Sequence, residues 1–359
     1  MNTIKSISTL FLFTVIVSGH TIGQEIDSTS QKQIEFLKKI YYTLGQDIYK
    51  TQDTKFKLNS SYVAPWEKIS SKNTQALQNS LDSIVKNGII SINQNQFSRT
   101  SLIFSSQLEA IDDLSDLFNI KLIDFNIVDS LKTPVKVNKS NSTNYGSKSG
   151  SGIKDGESFS YDYRTIKTLF QLDSKKPVIG ASGTVKLEVS FPSSYEKVLI
   201  TANDKGKEFY LKNKKYKVLE IVGHKIILKQ IDSSEEESLQ FSFVNTNKAG
   251  DKIAQIPFYE LRKMNEGKEV DLFSSTSSKK TMSENIYNIF KNNPDITQSE
   301  FDSILEPILL DVVKADDPKI AGEKLLGEKI IILTCAGPID QLFLYVENRE
   351  LKRTFTKSL

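Results

Sequence analysis

Cysteine and histidine are almost absent from this sequence. One cysteine, Cys335, and two histidines, His20 and His224, occur in 359 residues. A single cysteine cannot form an intramolecular disulfide, so we expect hydrophobic cores to supply the stability. A zinc site built from His and Cys is disfavoured, because four ligands are usual. A Ser-His-Asp or Cys-His centre would depend on one of these few residues.

The motifs that hold common cofactors are also missing. The sequence contains no Walker A loop, no G-x-G-x-x-G, no H-E-x-x-H and no EF-hand loop. Arginine is scarce, with 5 Arg against 42 Lys, which argues against a phosphate site built on bidentate Arg. The formal net charge is only +3, so long-range attraction to nucleic acid should be weak. We therefore expect no cofactor, no metal and no nucleic-acid partner.

The first 23 residues have the three parts of a cleavable signal peptide. Lys5 gives a minimal positive region, residues 9–17 form a short apolar core, and small or polar residues follow at 18–23. The apolar run has about half the length of a membrane-spanning helix, so a retained anchor is the alternative. The pattern predicts export to the periplasm or beyond, with no transmembrane segment after residue 23. Cleavage would also remove His20, leaving one histidine.

The two remaining rare residues have structural interpretations. Cys335 lies in the apolar run 330–336, where a buried cysteine behaves as a small hydrophobe. His224 follows Gly223 between two strand-like runs. Because glycine is required at the first central position of a type II′ turn, we expect Gly223-His224 to be a hairpin turn.

Residues 24–138 are predicted to form a mixed α+β unit. Apolar residues recur at spacings of three and four in three segments, and alternate or cluster like short strands in three others. The predicted helices cover residues 30–50, 74–86 and 108–118, and the predicted strands lie near 88–92, 101–104 and 120–128.

Two polar segments are predicted to be linkers. Residues 139–158 are rich in Ser, Gly and Asn and hold little that could offset the entropy of ordering, so we expect a flexible linker there. Residues 266–281 are polar and rich in Ser, and form a second predicted linker.

Between the linkers, residues 159–265 have the period of two that is typical of strands. In the clearest strand Val185, Leu187 and Val189 alternate with polar residues. About seven short strands separated by turns predict a central immunoglobulin-like sandwich, without the paired cysteines of an antibody domain. A small barrel would give the same pattern.

Residues 282–359 are predicted to form a helix-helix-hairpin unit. Thr281 with Glu284, and Thr297 with Glu300, match the T-x-x-E capping box, in which each side chain bonds the other residue's backbone N–H at a helix start. The hairpin is predicted from two apolar runs, at 329–333 and 342–346. The fold class is therefore multidomain α+β, with a β-sandwich flanked by two smaller units.

Two groups of side chains are candidate binding residues. Tyr161 and Tyr163 should point the same way from one strand, because alternate residues share a face. The densest basic cluster suggests either a solvated sheet edge or contact with an acidic polymer. Its members are Lys205, Lys207, Lys212, Lys214 and Lys215, with Lys217 next to them.

These observations favour an exported, non-catalytic protein that binds or scaffolds a protein or polysaccharide of a bacterial cell envelope. A hydrolase using two carboxylates is the alternative, since an acid pair can cleave glycosidic bonds. A protein inhibitor of a secreted enzyme is a third possibility, which would show as a protruding rigid loop. The paired acids available to a hydrolase are Asp112-Asp113, Asp316-Asp317 and the run 235–237.

Overall fold

In a computed structural model of the chain, the described residues are 28–49, 55–70, 74–94, 100–108, 117–173, 178, 180–231, 241–264, 277–315 and 318–359. The predicted signal peptide, most of the predicted helix at 108–118 and most of the linker at 266–281 lie outside these residues. Within the part of the chain that is described, none of the helices has the length and apolarity needed to cross a membrane.

Antiparallel strands dominate the described structure. Seven helices are seen in the described residues: α1 (Ser28–Gly45), α2 (Pro65–Ser70), α3 (Thr74–Asn87), α4 (Phe258–Met264), α5 (Glu284–Asn292), α6 (Gln298–Lys314) and α7 (Pro318–Leu326). The strands are β1 (Phe56–Asn59), β2 (Ile89–Gln94), β3 (Thr100–Leu108), β4 (Asn119–Val128), β5 (Lys136–Lys154), β6 (Glu157–Asp173), β7 (Ser182–Phe191), β8 (Ser194–Ile200), β9 (Glu208–Leu211), β10 (Lys214–Val222), β11 (Lys225–Gln230), β12 (Ser242–Thr246), β13 (Lys252–Gln255), β14 (Ser278–Ser283), β15 (Lys329–Thr334), β16 (Gln341–Asn348) and β17 (Leu351–Ser358).

The chain divides into two compact units, each made of two separate segments. Unit 1 comprises Met1–Tyr62 and Glu196–Val346, and unit 2 comprises Val63–Tyr195 and Glu347–Leu359. These are not the consecutive domains that the sequence predicts. Local periodicity marks strands but carries no information on which distant strand each one pairs with, so it could not identify this interleaving.

Unit 1 contains a β-sandwich of two five-stranded sheets, with strand orders β1-β13-β12-β16-β8 and β14-β15-β11-β10-β9. Residues from both sheets form one hydrophobic core, in which Tyr216 and Leu344 are fully buried. In β15, Ile331 and Leu333 face this core, while Ile330 and Ile332 face a second core on the other side of the sheet. The unbroken apolar run of β15 is therefore explained by burial on both faces.

Helices cover the outer face of the sheet that contains β15. Helices α1, α5 and α6 contribute Ile34, Phe290 and Phe301 to the second core. Helix α6 begins with the predicted capping box: Thr297 accepts a hydrogen bond from the backbone N–H of Glu300, and Glu300 accepts one from that of Thr297. The other predicted box is wrong, because Thr281 lies in β14 and Ser283 is the N-cap of α5.

Unit 2 is built on sheets of four and three strands, with orders β2-β3-β6-β5 and β17-β7-β4. Both sheets and helices α2 and α3 contribute to one core. The predicted alternation of β7 is confirmed, because Val185, Leu187, Val189 and Phe191 are all fully buried in that core. Strand β17 pairs with β7 along its length, from Leu351 opposite Phe191 to Ser358 opposite Thr184.

Two further predictions are wrong. The predicted flexible linker at 139–158 lies almost entirely in β5 and the start of β6, where cross-strand hydrogen bonds supply what its small side chains cannot. The C-terminal hairpin does not form, because β15 pairs with β11 and β14, whereas β16 pairs with β12 and β8. Helix α7 and strand β17 were not predicted.

The structural interpretations of the two rare residues are confirmed. Gly223 has φ of 57° and, with His224, joins β10 to β11, whose adjoining residues Val222 and Lys225 are paired. His224 is buried at this turn, and its pKa is lowered by burial and by the neighbouring charge of Lys225. Cys335 is buried in the sandwich core, which raises the pKa of its thiol to about 12.

Candidate functional site

The hairpin of β5 and β6 carries Tyr161 and Tyr163, the two aromatic residues of the predicted site. Strand β3 accompanies β6 from Gln171 as far as Arg164 in the described pairing. Beyond that point, residues 157–163 pair with residues 148–154, and no third strand is seen beside them in the described part of the chain. We call residues 148–163 the ribbon.

A two-residue turn closes the ribbon. Asp155 and Gly156 both have positive φ, 52° and 85°, and Lys154 pairs with Glu157 on either side of them. This is the pattern of a type I′ turn, for which Asp-Gly is a preferred dipeptide because both residues tolerate the left-handed region. The Asp-Gly dipeptide followed by alternating aromatic and polar residues is the sequence signal that the linker prediction overlooked.

Hydrogen bonds hold the base of the hairpin to the neighbouring sheet of unit 2. The Tyr145 hydroxyl donates to the carbonyl of Phe118 at 3.2 Å. The side-chain amide of Asn141 donates to the carbonyl of Ile120 at 2.8 Å. Because one bond reaches the start of β4 and the other the residue just before it, the ribbon extends from a base that is fixed at two points.

Two aromatic rings lie on one face of the ribbon. The rings of Phe159 and Tyr161 have centroids 6.4 Å apart and planes inclined by 18°. Phe159 is paired with Gly152 and Tyr161 with Gly150 across the hairpin. A β-carbon at Gly150 would lie 2.6 Å from Tyr161 Oη, and one at Gly152 would lie 2.8 Å from Phe159 Cζ. Each ring therefore rests directly against a glycine, and we call the pair the aromatic platform.

The platform lies on the solvent-facing side of its sheet. In β6 the even-numbered Ile166 and Phe170 are buried in the unit 2 core, so the odd-numbered residues lie on the opposite face. Phe159 and Tyr161 remain 46% and 45% exposed. Side chains of this size usually gain from burial, and these two lie half-exposed on one face.

The sequence predicted one platform residue and missed the other. Tyr161 is on the platform, whereas Phe159 was not singled out. The backbone of Tyr163 is paired with Lys148 at the inner end of the ribbon, and its side chain lies outside the described part of the structure. Ile153, near the tip and on the opposite face, is 78% exposed.

The predicted basic cluster belongs to unit 1, at the edge of a sheet, and forms no continuous positive surface. Lys214 is buried, while Lys205 and Lys212 are exposed and form no ion pair within the described residues. Strand β9 is the edge strand of its sheet, so the structure favours the solvated-edge interpretation. The remaining cluster members, Lys207, Lys215 and Lys217, each contact a carboxylate.

Those carboxylates neutralise much of the cluster. Lys215 Nζ lies 2.6 Å and Lys217 Nζ 3.8 Å from Glu208. The hydrogen bond and charge of Lys215 lower the pKa of Glu208. Burial would raise the pKa of Asp204, but its hydrogen bonds with Thr201 and Lys207 together lower it. Both acids therefore remain charged at neutral pH, which weakens any attraction of this edge for an acidic polymer.

The acid pairs proposed for hydrolysis, at 112–113, 235–237 and 316–317, lie outside the described residues. Among the described acids, Glu284 and Glu328 form a pair whose carboxylates each lie 2.8 Å from Lys229 Nζ. Burial would lower the pKa of Lys229, but these two hydrogen bonds outweigh it and raise that pKa. The two carboxylates therefore share one lysine and form an ion-pair cluster at the start of α5.

A second polar network lies at the helical side of unit 1. Tyr49 Oη lies 2.9 Å from Glu220 Oε2 and 3.2 Å from Tyr287 Oη. Burial, assisted by the Glu220 carboxylate, raises the pKa of Tyr49 to about 12 and that of Tyr287 still further. Both phenols are therefore protonated at neutral pH and serve as structural hydrogen-bond donors. In the described part of the chain, no cluster of three or more His, Cys, Asp or Glu is arranged to hold a metal ion.

Comparison with known proteins finds no protein-family model that matches the chain, and no curated protein with significant sequence similarity.

Proposed function

We propose that the chain is an exported, non-catalytic binding protein of a bacterial cell envelope, and that the ribbon is its partner-binding element. One observation carries the proposal: the aromatic platform of Phe159 and Tyr161 is half-exposed on a two-stranded extension with a fixed base. Surface aromatic side chains that are rigid and solvent-accessible are the usual anchors of binding surfaces.

The glycines behind the platform support a binding role. A side chain at position 150 or 152 would collide with a ring, so glycine leaves the space that both rings occupy. A ring that is already held in place loses little conformational entropy when a partner covers it. The platform therefore starts from a preorganised state.

The architecture is compatible with this role. The two-sheet packing of unit 1 and its lack of any predicted cofactor motif support a binding or scaffolding protein, and an immunoglobulin-like relationship remains part of the proposal. Export remains part of it as well, and rests on the pattern of residues 1–23.

A co-sedimentation assay tests the ribbon as the binding element. Purified protein lacking residues 1–23 is mixed with washed envelope fragments of a Gram-negative bacterium and centrifuged. We expect the double variant Phe159→Ser/Tyr161→Ser to bind roughly tenfold more weakly than the parent protein, as expected when two anchor side chains are lost. The matched control is Tyr210→Ser/Tyr259→Ser, which removes two tyrosines of unit 1 that are each 62% exposed.

The control should bind like the parent protein. Equal binding by the parent and the platform variant, with both folded by circular dichroism, would rule out the ribbon as the binding element.

An inhibitor of a secreted enzyme is a second candidate, favoured by the exposed ribbon and by Ile153 at its tip. Loss of binding on Ile153→Ser with the platform intact would favour that candidate.

Export is tested separately by the mass of the mature protein. Full-length protein expressed in a Gram-negative host should appear in the periplasmic or culture fraction without residues 1–23. Intact-mass spectrometry of a cytoplasmic product that still carries these residues would contradict the export proposal.

A further inference from the structure

We infer that the aromatic platform binds a neutral polysaccharide, an inference that rests on the ribbon being the binding element. The geometry is the first argument. The two rings are nearly parallel, 6.4 Å apart between centroids, and each lies against a glycine of the paired strand. The platform therefore offers a shallow aromatic surface rather than a pocket.

A shallow aromatic surface selects for a ligand with a flat apolar face. The face of an aromatic ring carries partial negative charge and attracts the positive edges of C–H groups. The rings of many sugars present such C–H groups on one face and carry hydroxyls around their edge. Two platform rings side by side suit an extended chain of sugars better than a single one.

The second argument is the distribution of charge around the platform. The ribbon carries two lysines and three carboxylates, a formal net charge of −1, so it provides no net attraction for a polyanion. Single-stranded nucleic acids also stack on aromatic rings, but their sites add a positive groove that follows the phosphates. The ribbon lacks such an excess, since its charged residues are Lys148, Lys154, Asp155, Glu157 and Asp162.

The third argument is the polar rim of the platform. Lys154 and Glu157 are paired next to Phe159, on the same face of the ribbon, because paired residues of antiparallel strands share a face. Lys148 occupies the equivalent position beyond Tyr161. A donor and an acceptor on one side of the two rings and a donor on the other match a ligand whose apolar face is bordered by hydroxyls.

Affinity electrophoresis in native gels tests the inference. The gels contain hydroxyethylcellulose, laminarin or mannan as neutral probes, and polygalacturonate as the anionic probe. We expect at least one neutral polysaccharide to retard the parent protein, and polygalacturonate to retard it no more than an inert control protein.

The sharpest variant moves a ring without removing it. In Gly150→Ala the new β-carbon displaces the Tyr161 ring, and we expect retardation to fall roughly tenfold when one of two aromatic contacts is misplaced. The matched control is Gly146→Ala on the same strand and face, whose β-carbon would lie 2.8 Å from Thr165 Oγ1 and away from the platform. This control should keep the retardation of the parent protein within about twofold, because it leaves both rings in place.

The outcomes separate this inference from the proposed function. Absence of retardation by all three neutral probes, retardation by polygalacturonate alone, or equal retardation of the parent and Gly150→Ala would each overturn the polysaccharide inference. If envelope binding still depended on Phe159 and Tyr161 in those cases, the ribbon would bind another class of partner and the proposed function would stand. Equal envelope binding by the platform variant would remove both.

Discussion

Strands β15 and β5 form under opposite conditions. Strand β15 reads Lys-Ile-Ile-Ile-Leu-Thr, lies between two other strands, and is buried on both faces. Strand β5 is rich in Ser, Gly and Asn, lies at the edge of its sheet, and is mostly exposed. The first is specified by side-chain burial, and the second by a turn and by backbone pairing with a partner strand.

The difference explains why one strand suits stability and the other suits recognition. A substitution in β15 alters a packed core on one side or the other. A substitution in the ribbon changes a surface that little else depends on. Because the ribbon buries little apolar surface, we expect its backbone amides to be less protected from hydrogen exchange than those in the core of unit 2.

The largest expected effect is in β15. Ile331→Ala and Ile332→Ala should each lower the free energy of unfolding by about 2–5 kcal/mol, because both residues are 2% exposed and leave cavities in different cores. Urea denaturation followed by circular dichroism measures this. The comparison variant Ile153→Ala at the ribbon tip should change it by less than about 0.5 kcal/mol. Similar losses at both sites would contradict the comparison.

An intermediate effect is expected at Lys279 in β14, which pairs with β15. Its Nζ lies 3.7 Å from the centroid of the Phe241 ring. Burial, with a smaller contribution from the charge of Lys329, lowers the pKa of Lys279 to about 8 from its usual 10.5. Between pH 8 and 10.5 the unfolded chain holds the proton that the folded protein has lost, so stability rises with pH through this window.

The variant Lys279→Met should remove this pH dependence. At pH 7 we expect it to be more stable than the parent protein by on the order of 1–2 kcal/mol, after allowance for partial exposure. The difference should disappear near pH 10.5, as measured by urea denaturation at each pH. If the difference in unfolding free energy stayed constant from pH 7 to 10.5, the cost of burying the Lys279 charge could not be its cause.

A smaller and local effect is expected at the ribbon turn. Gly156→Ala places a side chain at φ of 85°, where nothing lies within 4 Å of the new β-carbon, so the cost is conformational. We expect about 1 kcal/mol of lost protection in hydrogen exchange, confined to residues 148–163. The matched control is Gly206→Ala in unit 1, which has the same φ and equally open space. An equal increase in exchange across the whole of unit 2 would contradict the expectation that the ribbon opens independently of the rest of the unit.

Local sequence patterns predicted several elements correctly. Helix α3, strands β4 and β7 and the Gly223-His224 turn were predicted because their signals lie within a few residues. Strand β5 was missed because its apolar content is low and its pairing partner determines its conformation. Strand β17 was missed because its position beside β7 depends on contacts between residues 160 to 174 apart.

The candidate site was predicted only in part, because its geometry also depends on which strands pair. Tyr161 was identified from its spacing with Tyr163, but the glycine partners of the platform emerge only from the register of β5 against β6. The basic cluster looked continuous because its lysines are close in sequence. Glu208 and Asp204, which neutralise part of it, become relevant only once the strands are paired.

The interleaved segments of the two units also determine when each unit can be completed during synthesis. Strand β1 of unit 1 cannot pair until β13 has been synthesised, nearly 200 residues later. Strand β7 of unit 2 cannot pair with β17 until the last residues of the chain have been synthesised. A chain that emerges from one end to the other would therefore hold unpaired strand edges until its final residues appear. We expect such a chain to depend on chaperones that cover those edges, and not to fold one unit at a time.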